Sequence, residues 1–313
     1  MLRYALTRLA MAAFSLLLVG AVVFLLIRSI PGDPALLMLG DSAEPAQLAD
    51  LRRQLGLDRP LPVQFAYWLG EMATGDLGQS LISREPVLGL LWDRFSVTAT
   101  IVLSAVALAA LIAVPAGMLA AWRQNRWQDL AVVGVSTALL SIPSFWLGMM
   151  LLLLFGIVLQ WVPVVGYVPF NENAAQALKV LALPVATLVL VELGTLARMA
   201  RASTLDVLQL EYIAHARAKG ASERSVLFKH AFPNAFAPTW TLIGLILGNL
   251  LGGAAVVETV FTLPGLGRLL VDAIYARDYP VIQGCLMFIA AIYALVNLLV
   301  DLAYPLFDPR VKL

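Results

Sequence analysis

Six stretches of this chain, 9–30, 97–121, 130–159, 177–196, 238–260 and 281–306, stay apolar over about twenty residues or more, the length a helix needs to cross a bilayer. No other feature constrains the fold as strongly. Lipid offers no partner to a backbone amide or carbonyl, so a span must satisfy its own hydrogen bonds as a helix. The expected fold is an all-α membrane protein with six transmembrane helices. Only 13% of the residues are charged, against about 25% in soluble domains. The third stretch is long for one span, and Pro143 in SIPSFW predicts a kink there because proline removes a backbone donor. Two half-helices in a re-entrant arrangement are the other reading. The first stretch follows Arg3 and Arg8 but runs into Ile30-Pro31-Gly32-Asp33 rather than a small-residue cleavage site, and is read as a retained anchor.

Lysine and arginine mark the cytoplasmic side. They stand at Arg3 and Arg8, at Arg123 and Arg126, and at Arg198, Arg201, Arg217, Lys219, Arg224 and Lys229 between the fourth and fifth stretches. Arg310 and Lys312 follow in the tail. The 161–176 loop has none, and in the 31–96 loop acids outnumber bases. Both termini are therefore expected inside. The chain divides into an anchor at 1–30, an extracytoplasmic cap at 31–96, a five-helix core at 97–306 with a cytoplasmic loop at 201–237, and a tail at 307–313.

The cap holds helical patches near 46–56 and 63–72, with Leu51, Leu55, Phe65, Trp68 and Leu69 as apolar faces. It either packs on its own helices or docks a partner. The cytoplasmic loop reads EYIAHARAKGASERSVLFKHAFP over 211–233. A helix over 211–219 stops at Gly220, where a left-handed residue suits glycine. A second over 223–232 ends at Pro233. Two readings fit: a lever for a soluble partner, or a basic helix lying on lipid headgroups.

In the fifth span Gly244, Gly248 and Gly252 recur every fourth residue with Gly253 adjacent, a smooth strip for close helix packing. The partner helix could lie in this chain or in another. Glu192, Glu258 and Asp301 are costly at membrane depth; each falls within about two turns of a predicted span end, where snorkelling or pairing is the plainer reading, and Glu258 could face a central cavity. There is no GxxxxGK[ST] phosphate loop, HExxH, CxxC or GxSxG, so no catalytic residue or metal site is predicted. Cys285 stands alone, and His215 and His230 lack an acid–base constellation.

Several segments carry a resemblance. They are MLRYALTRL with Ile30-Pro31-Gly32-Asp33-Pro34, Leu55-Gly56-Leu57-Asp58 with Pro60, and Gly75-Asp76-Leu77-Gly78 with Ser80. Further on come ARMARASTLDVLQLEYIAHARAKG at 197–220, VVETVFTLPGLGRLLVDAIYARDYPVIQG at 256–284 and LVNLLVDLAYPLFDPR ending at Arg310. In this order and spacing they resemble permease subunits of bacterial ABC importers of the dipeptide, oligopeptide and nickel group, with the type I permease fold. The wider family carries a cytoplasmic motif of Glu-Ala-Ala, three residues, Gly, nine residues and Ile-x-Leu-Pro. This chain matches it at Ala216, Gly220 and Pro233 and departs at Ala214, His215, His230 and Phe232.

The resemblance implies an inner-membrane subunit that is not itself an enzyme and binds no cofactor. ATP and Mg would bind two separate ATPase subunits, a second homologous permease would complete the pathway, and a solute-binding protein would deliver cargo outside. Lipid would surround the assembly, and no nucleic acid is involved. Contact with the ATPase would fall to Glu211, Tyr212, Ala216, Arg217, Lys219, Gly220 and Pro233, with Glu211, Arg217 and Lys219 as the main polar contacts. The fifth span with its glycines would line the path. Pro264, Gly265, Gly267, Arg277, Asp278 and Tyr279 would form an outer lip. The cargo would be dipeptides or oligopeptides, with nickel, a metal chelate or a glutathione-like compound as the alternative. A secondary carrier is the reading from another class; the lack of central charged pairs weighs against it.

Overall fold

The computed structural model describes residues 2–29, 44–54, 57–169 and 171–303. The predicted tail at 307–313, the 30–34 segment and Leu55-Gly56 lie outside them. In chain order the helices are α1 (Leu2–Ser29), α2 (Pro45–Gln54), α3 (Leu61–Ala73), α4 (Val87–Trp122), α5 (Trp127–Leu140), α6 (Ser144–Leu151), α7 (Ala174–Leu208), α8 (Glu211–Ala218), α9 (Glu223–Ser225), α10 (Phe232–Gly253), α11 (Ala255–Val260), α12 (Leu266–Ala276) and α13 (Tyr279–Ala303). α6 continues as a π-helical segment, Leu152–Val158, and α9 leads through another, Val226–Ala231, into α10. Five helical stretches are long and apolar enough to cross a membrane, and the pair Trp127–Leu140 with Ser144–Val158 makes a sixth if it counts as one span.

The differences from expectation have physical causes. α4 starts at Val87 because Pro86 sits at its N-cap and Val87 and Leu91 are fully buried; Asp93 interrupts the apolar run but lies on the exposed side. At Pro143 the chain does not merely kink. The helices on either side are bent by 98°. α7 runs on to Leu208, which places Glu192 near its middle and not within two turns of an end. The predicted fifth span divides at Ala254 into α10 and α11. Pro233 does not end a helix as predicted. It sits in the first turn of α10, two residues past the π-helical segment Val226–Ala231, and the helical run continues through it from Glu223 to Gly252.

α4 and α7 are the most extensively packed pair. Gly117 makes this possible: a Cβ there would overlap the Ala197 carbonyl and come within 2.8 Å of the Ala200 Cβ. Ala105, Ala109 and Ala113 repeat the small-residue spacing on α4, and all are buried. α10 lies across α4, α7 and α13, while α1 packs on α13. In the cap, Phe65 and Trp68 of α3 set their rings 5.4 and 5.7 Å from that of Phe24 on α1. Packing on its own helices is thus what α3 does. Arg8 of α1 pairs with Asp301 of α13 at 3.2 Å, the pairing expected of an acid near a span end.

Candidate functional site

The 201–237 loop, expected on the cytoplasmic side, is braced from inside. Ile213 is fully buried and anchors α8, leaving Glu211, His215, Arg217 and Lys219 exposed and Ala216 half-buried. After α8 the Gly220 amide donates to the Arg217 carbonyl (2.9 Å) and the Ala221 amide to that of Ala216 (3.1 Å). Gly220 has φ +83°. This is a Schellman stop, which needs the left-handed conformation that glycine adopts freely. Tyr212 donates its hydroxyl hydrogen to the His230 carbonyl (3.1 Å) and accepts from the Asn234 amide (2.9 Å). Arg217 grips Glu223 at 2.8 and 3.2 Å. Of the residues named for polar contact, Arg217 is therefore committed within the loop, while Glu211 and Lys219 lie on its free face.

A second brace ties the loop's upstream helix to the bundle. Asp129, 2% exposed, accepts from Arg201 Nε and Nη2 at 2.5 and 2.9 Å and from the Asn125 amide at 2.9 Å. The bidentate geometry fixes α5 against α7.

Two carboxylates hold the ends of α12 on the opposite side of the loop-bearing helices. Glu258 does not face a cavity. It is 0% exposed and accepts the Thr98 hydroxyl at 2.5 Å and the Arg268 amide at 2.9 Å. Thr98 in turn accepts from the Leu266 amide at 2.8 Å. A Cβ at Gly265 would overlap the Glu258 carboxyl, and one at Gly267 would lie 2.6 Å from Ala255 Cα. Both glycines are thus close-approach positions. At the other end Arg277 takes a left-handed conformation with φ 55°, and buried Asp278 accepts the Ser80 hydroxyl at 2.5 Å and the Leu81 amide at 3.1 Å. Pro264 is half-buried, Tyr279 is buried and Arg277 is exposed.

The glycine strip is resolved in favour of this chain. Gly244 faces Val300, Gly248 lies 2.6 Å (as a Cβ) from the Tyr293 ring and Gly252 lies 3.4 Å from Ile289, all on α13. Gly253 closes α10.

The geometry is that of a helical core with a braced loop at one end and a short helix held by two carboxylates at the other, and the comparisons with known proteins say what such a chain is similar to. The family described as binding-protein-dependent transport system inner membrane component matches residues 113–313, and its N-terminal counterpart matches residues 1–104. The chain belongs to this family. A Brucella abortus protein named for a peptide transport system permease is 42% identical to this permease over 307 residues, covering 98% of each chain. The dipeptide transport system permease of Alkalihalophilus pseudofirmus is 39% identical over 333 residues, covering 100% of each. The glutathione transport system permease of Escherichia coli is 40% identical over 312 residues, covering 100% of this chain and 99% of its own.

The permease has the type I importer fold, and its family depends on a separate binding protein for its cargo. Among the described residues no group of three or more His, Cys, Asp or Glu could hold a metal ion. Asp129, Asp278, Thr98, Ser80 and Asn234 were not singled out as partners in the sequence. Their roles arise from pairings such as Ser80 with Asp278, 198 residues apart, which no local pattern signals.

Proposed function

We propose that this permease is the membrane subunit of an ATP-driven importer of dipeptides or short oligopeptides and forms half of the translocation pathway with a second, homologous permease. The observation that carries the coupling role is the continuity of the lever. α8 presents an exposed polar face, is stopped by Gly220, and is tied through Tyr212 and Arg217 to a helix that runs unbroken into the membrane. The full-length relatives named for peptide and dipeptide transport support the cargo, and the glutathione relative keeps it peptide-like. In this reading two ATPase subunits bind ATP and Mg, and the permease catalyses nothing itself. Glu211, Lys219 and their neighbours on the free face of α8 meet the ATPase, a solute-binding protein docks on the outer side, and both termini are cytoplasmic in a bacterial inner membrane. The lip around α12 moves as the pathway opens outward.

The test is to purify the tagged permease from its native membrane in mild detergent, identify what accompanies it by mass spectrometry, and reconstitute the assembly for uptake of labelled peptides. Two ATPases, a second permease and ATP-dependent peptide uptake are expected. A chain that comes out alone sinks the importer reading.

Gly220→Val forces a β-branched residue into φ +83°, a strain of about 1–3 kcal/mol that the loop relieves by shifting α8. The expected result is a permease that still inserts and assembles but spends several-fold more ATP per peptide imported. Uptake coupled as in the parent would show that the stop does not set the lever.

A further inference from the structure

The groove between α4 and the helical run that leaves the loop is a feature the importer reading does not use. It has a volume of about 510 Å³, within the range of small-molecule sites. Its walls are chiefly Leu111, Met118 and Trp122 of α4 against Phe228, Phe232 and Phe236, which recur every fourth residue from the π-helical segment into α10. Leu111 is 70% exposed and Phe228 59% exposed, so among the described residues nothing covers the mouth of the groove. Trp122 interacts with the Glu223 carboxylate at the start of α9, which puts Trp122 and Phe228 at the same end. From Ala107 to Trp122 the groove follows α4 for about 22 Å. Charge is confined to the Trp122 end. Arg123 follows Trp122, with its guanidinium 5.0 Å from the ring centroid, and exposed Arg224 stands one turn before Phe228. Neither arginine has an ion-pair partner among the described residues; the nearby Glu223 is taken by Arg217. Along the rest of the groove the sequence holds no Asp, Glu, Lys or Arg, either between Arg94 and Arg123 or between Lys229 and Glu258.

We infer that this groove holds one acyl chain of an anionic phospholipid, with the phosphate at Arg123 and Arg224. The inference rests on the reading of the chain as a membrane protein with its loop on the cytoplasmic side. Shape and charge match together: a long apolar slot with cations at one end is the complement of an acyl chain with an anion at one end. The cytoplasmic leaflet is the one with a negative surface, and basic pockets between helices on that side take anionic headgroups. Trp122 suits the boundary, since tryptophan settles at headgroup level. A purely apolar helix from a partner would fill the slot but leave both arginines without an acceptor. The position also matters for the lever. Glu223 interacts with Trp122 of the groove and with Arg217 of α8, so the lipid sits against the residues that hold α8 to the bundle.

The experiment reconstitutes the complete importer into phosphatidylcholine vesicles that carry a trace of a photoactivatable phospholipid. The reactive group sits in the acyl chain, the head is either phosphatidylglycerol or phosphatidylcholine, and labelled peptides are mapped by mass spectrometry. The anionic probe is expected to label residues 107–122 and 227–236 about tenfold or more above the neutral probe, each arginine contributing roughly fivefold. The double variant R123Q/R224Q is expected to bring the anionic probe down to the level of the neutral one. A107W fills the slot at an exposed position and is expected to lower labelling by the anionic probe with both arginines still present. Equal labelling by the two probes in the parent would overturn the site, since the groove would then be ordinary lipid-facing surface. A groove left unlabelled while other spans are labelled would overturn it too, with a partner chain as its cover. An anionic preference that survives in R123Q/R224Q would overturn the headgroup assignment. A permease that does not float with the vesicles fails the membrane reading itself, and that failure is visible before any probe is compared.

Discussion

Asp129→Ala is expected to destabilise the permease by about 3 kcal/mol, the lower end of the range for removing one partner of a buried ion pair. The lower end applies because Arg201 retains some access to water, 24% of its side chain, whereas Asp129 has 3%. Without the carboxylate, Arg201 keeps its charge against α5 with no acceptor, and the Asn125 amide loses its partner as well. The physical claim has a second half. Replacing both residues, Asp129→Leu with Arg201→Leu, removes the stranded charge along with the pair, so the double variant should be more stable than Asp129→Ala alone. Thermal inactivation of the purified permease measures both. A double variant worse than the single would mean that the pair contributes net stability and is not simply mutually dependent.

Glu258→Ala should have a comparable cost and a different location. It leaves the Arg268 amide without its acceptor and the Thr98 hydroxyl with only the Arg94 carbonyl at 3.4 Å, in a site closed to water, at about 1–3 kcal/mol for an orphaned group, and opens a void where the carboxyl stood. The loss falls on the start of α12. Amide exchange at Leu266 and Arg268 is therefore expected to accelerate about a hundredfold, the equivalent of roughly 3 kcal/mol, while amides in the α4–α7 core change little. Gly265→Ala should produce the same pattern from the other side by driving a methyl group into the Glu258 carboxyl. If exchange rises evenly over the whole bundle, Glu258 is an ordinary core residue and not a local latch.

What could be read in advance followed the range of each interaction. Spans and the Gly220 stop are local: an apolar run or one glycine after a short helix suffices. Ends were missed wherever a single charge broke an apolar run without breaking the helix, as at Asp93 in α4 and Arg198 in α7. Pro233 was read as a terminator because a proline after a helical stretch fits an end and a first turn equally well, and only the helix beyond it decides. The glycine strip announced a close contact but not its partner, since Val300, Tyr293 and Ile289 on α13 were indistinguishable from any other apolar residues. Glu258 was read as paired or snorkelling, or else facing a cavity, because its only legible property was charge. The Thr98 hydroxyl that occupies it lies 160 residues away.

The unbroken run from Glu223 to Gly252 is 30 residues long, about 45 Å of helix. The π-helical turn Val226–Ala231, Pro233 and Pro238 fall within it, the kinds of position at which helices bend. In the proposed importer an ATPase that rolls α8 about its axis would turn Gly244, Gly248 and Gly252 against Val300, Tyr293 and Ile289 of α13. Beyond the run the helix divides at Ala254, and Glu258 follows in α11. The arm that an ATPase would move in the proposed importer thus ends shortly before Glu258, the carboxylate that holds the start of α12.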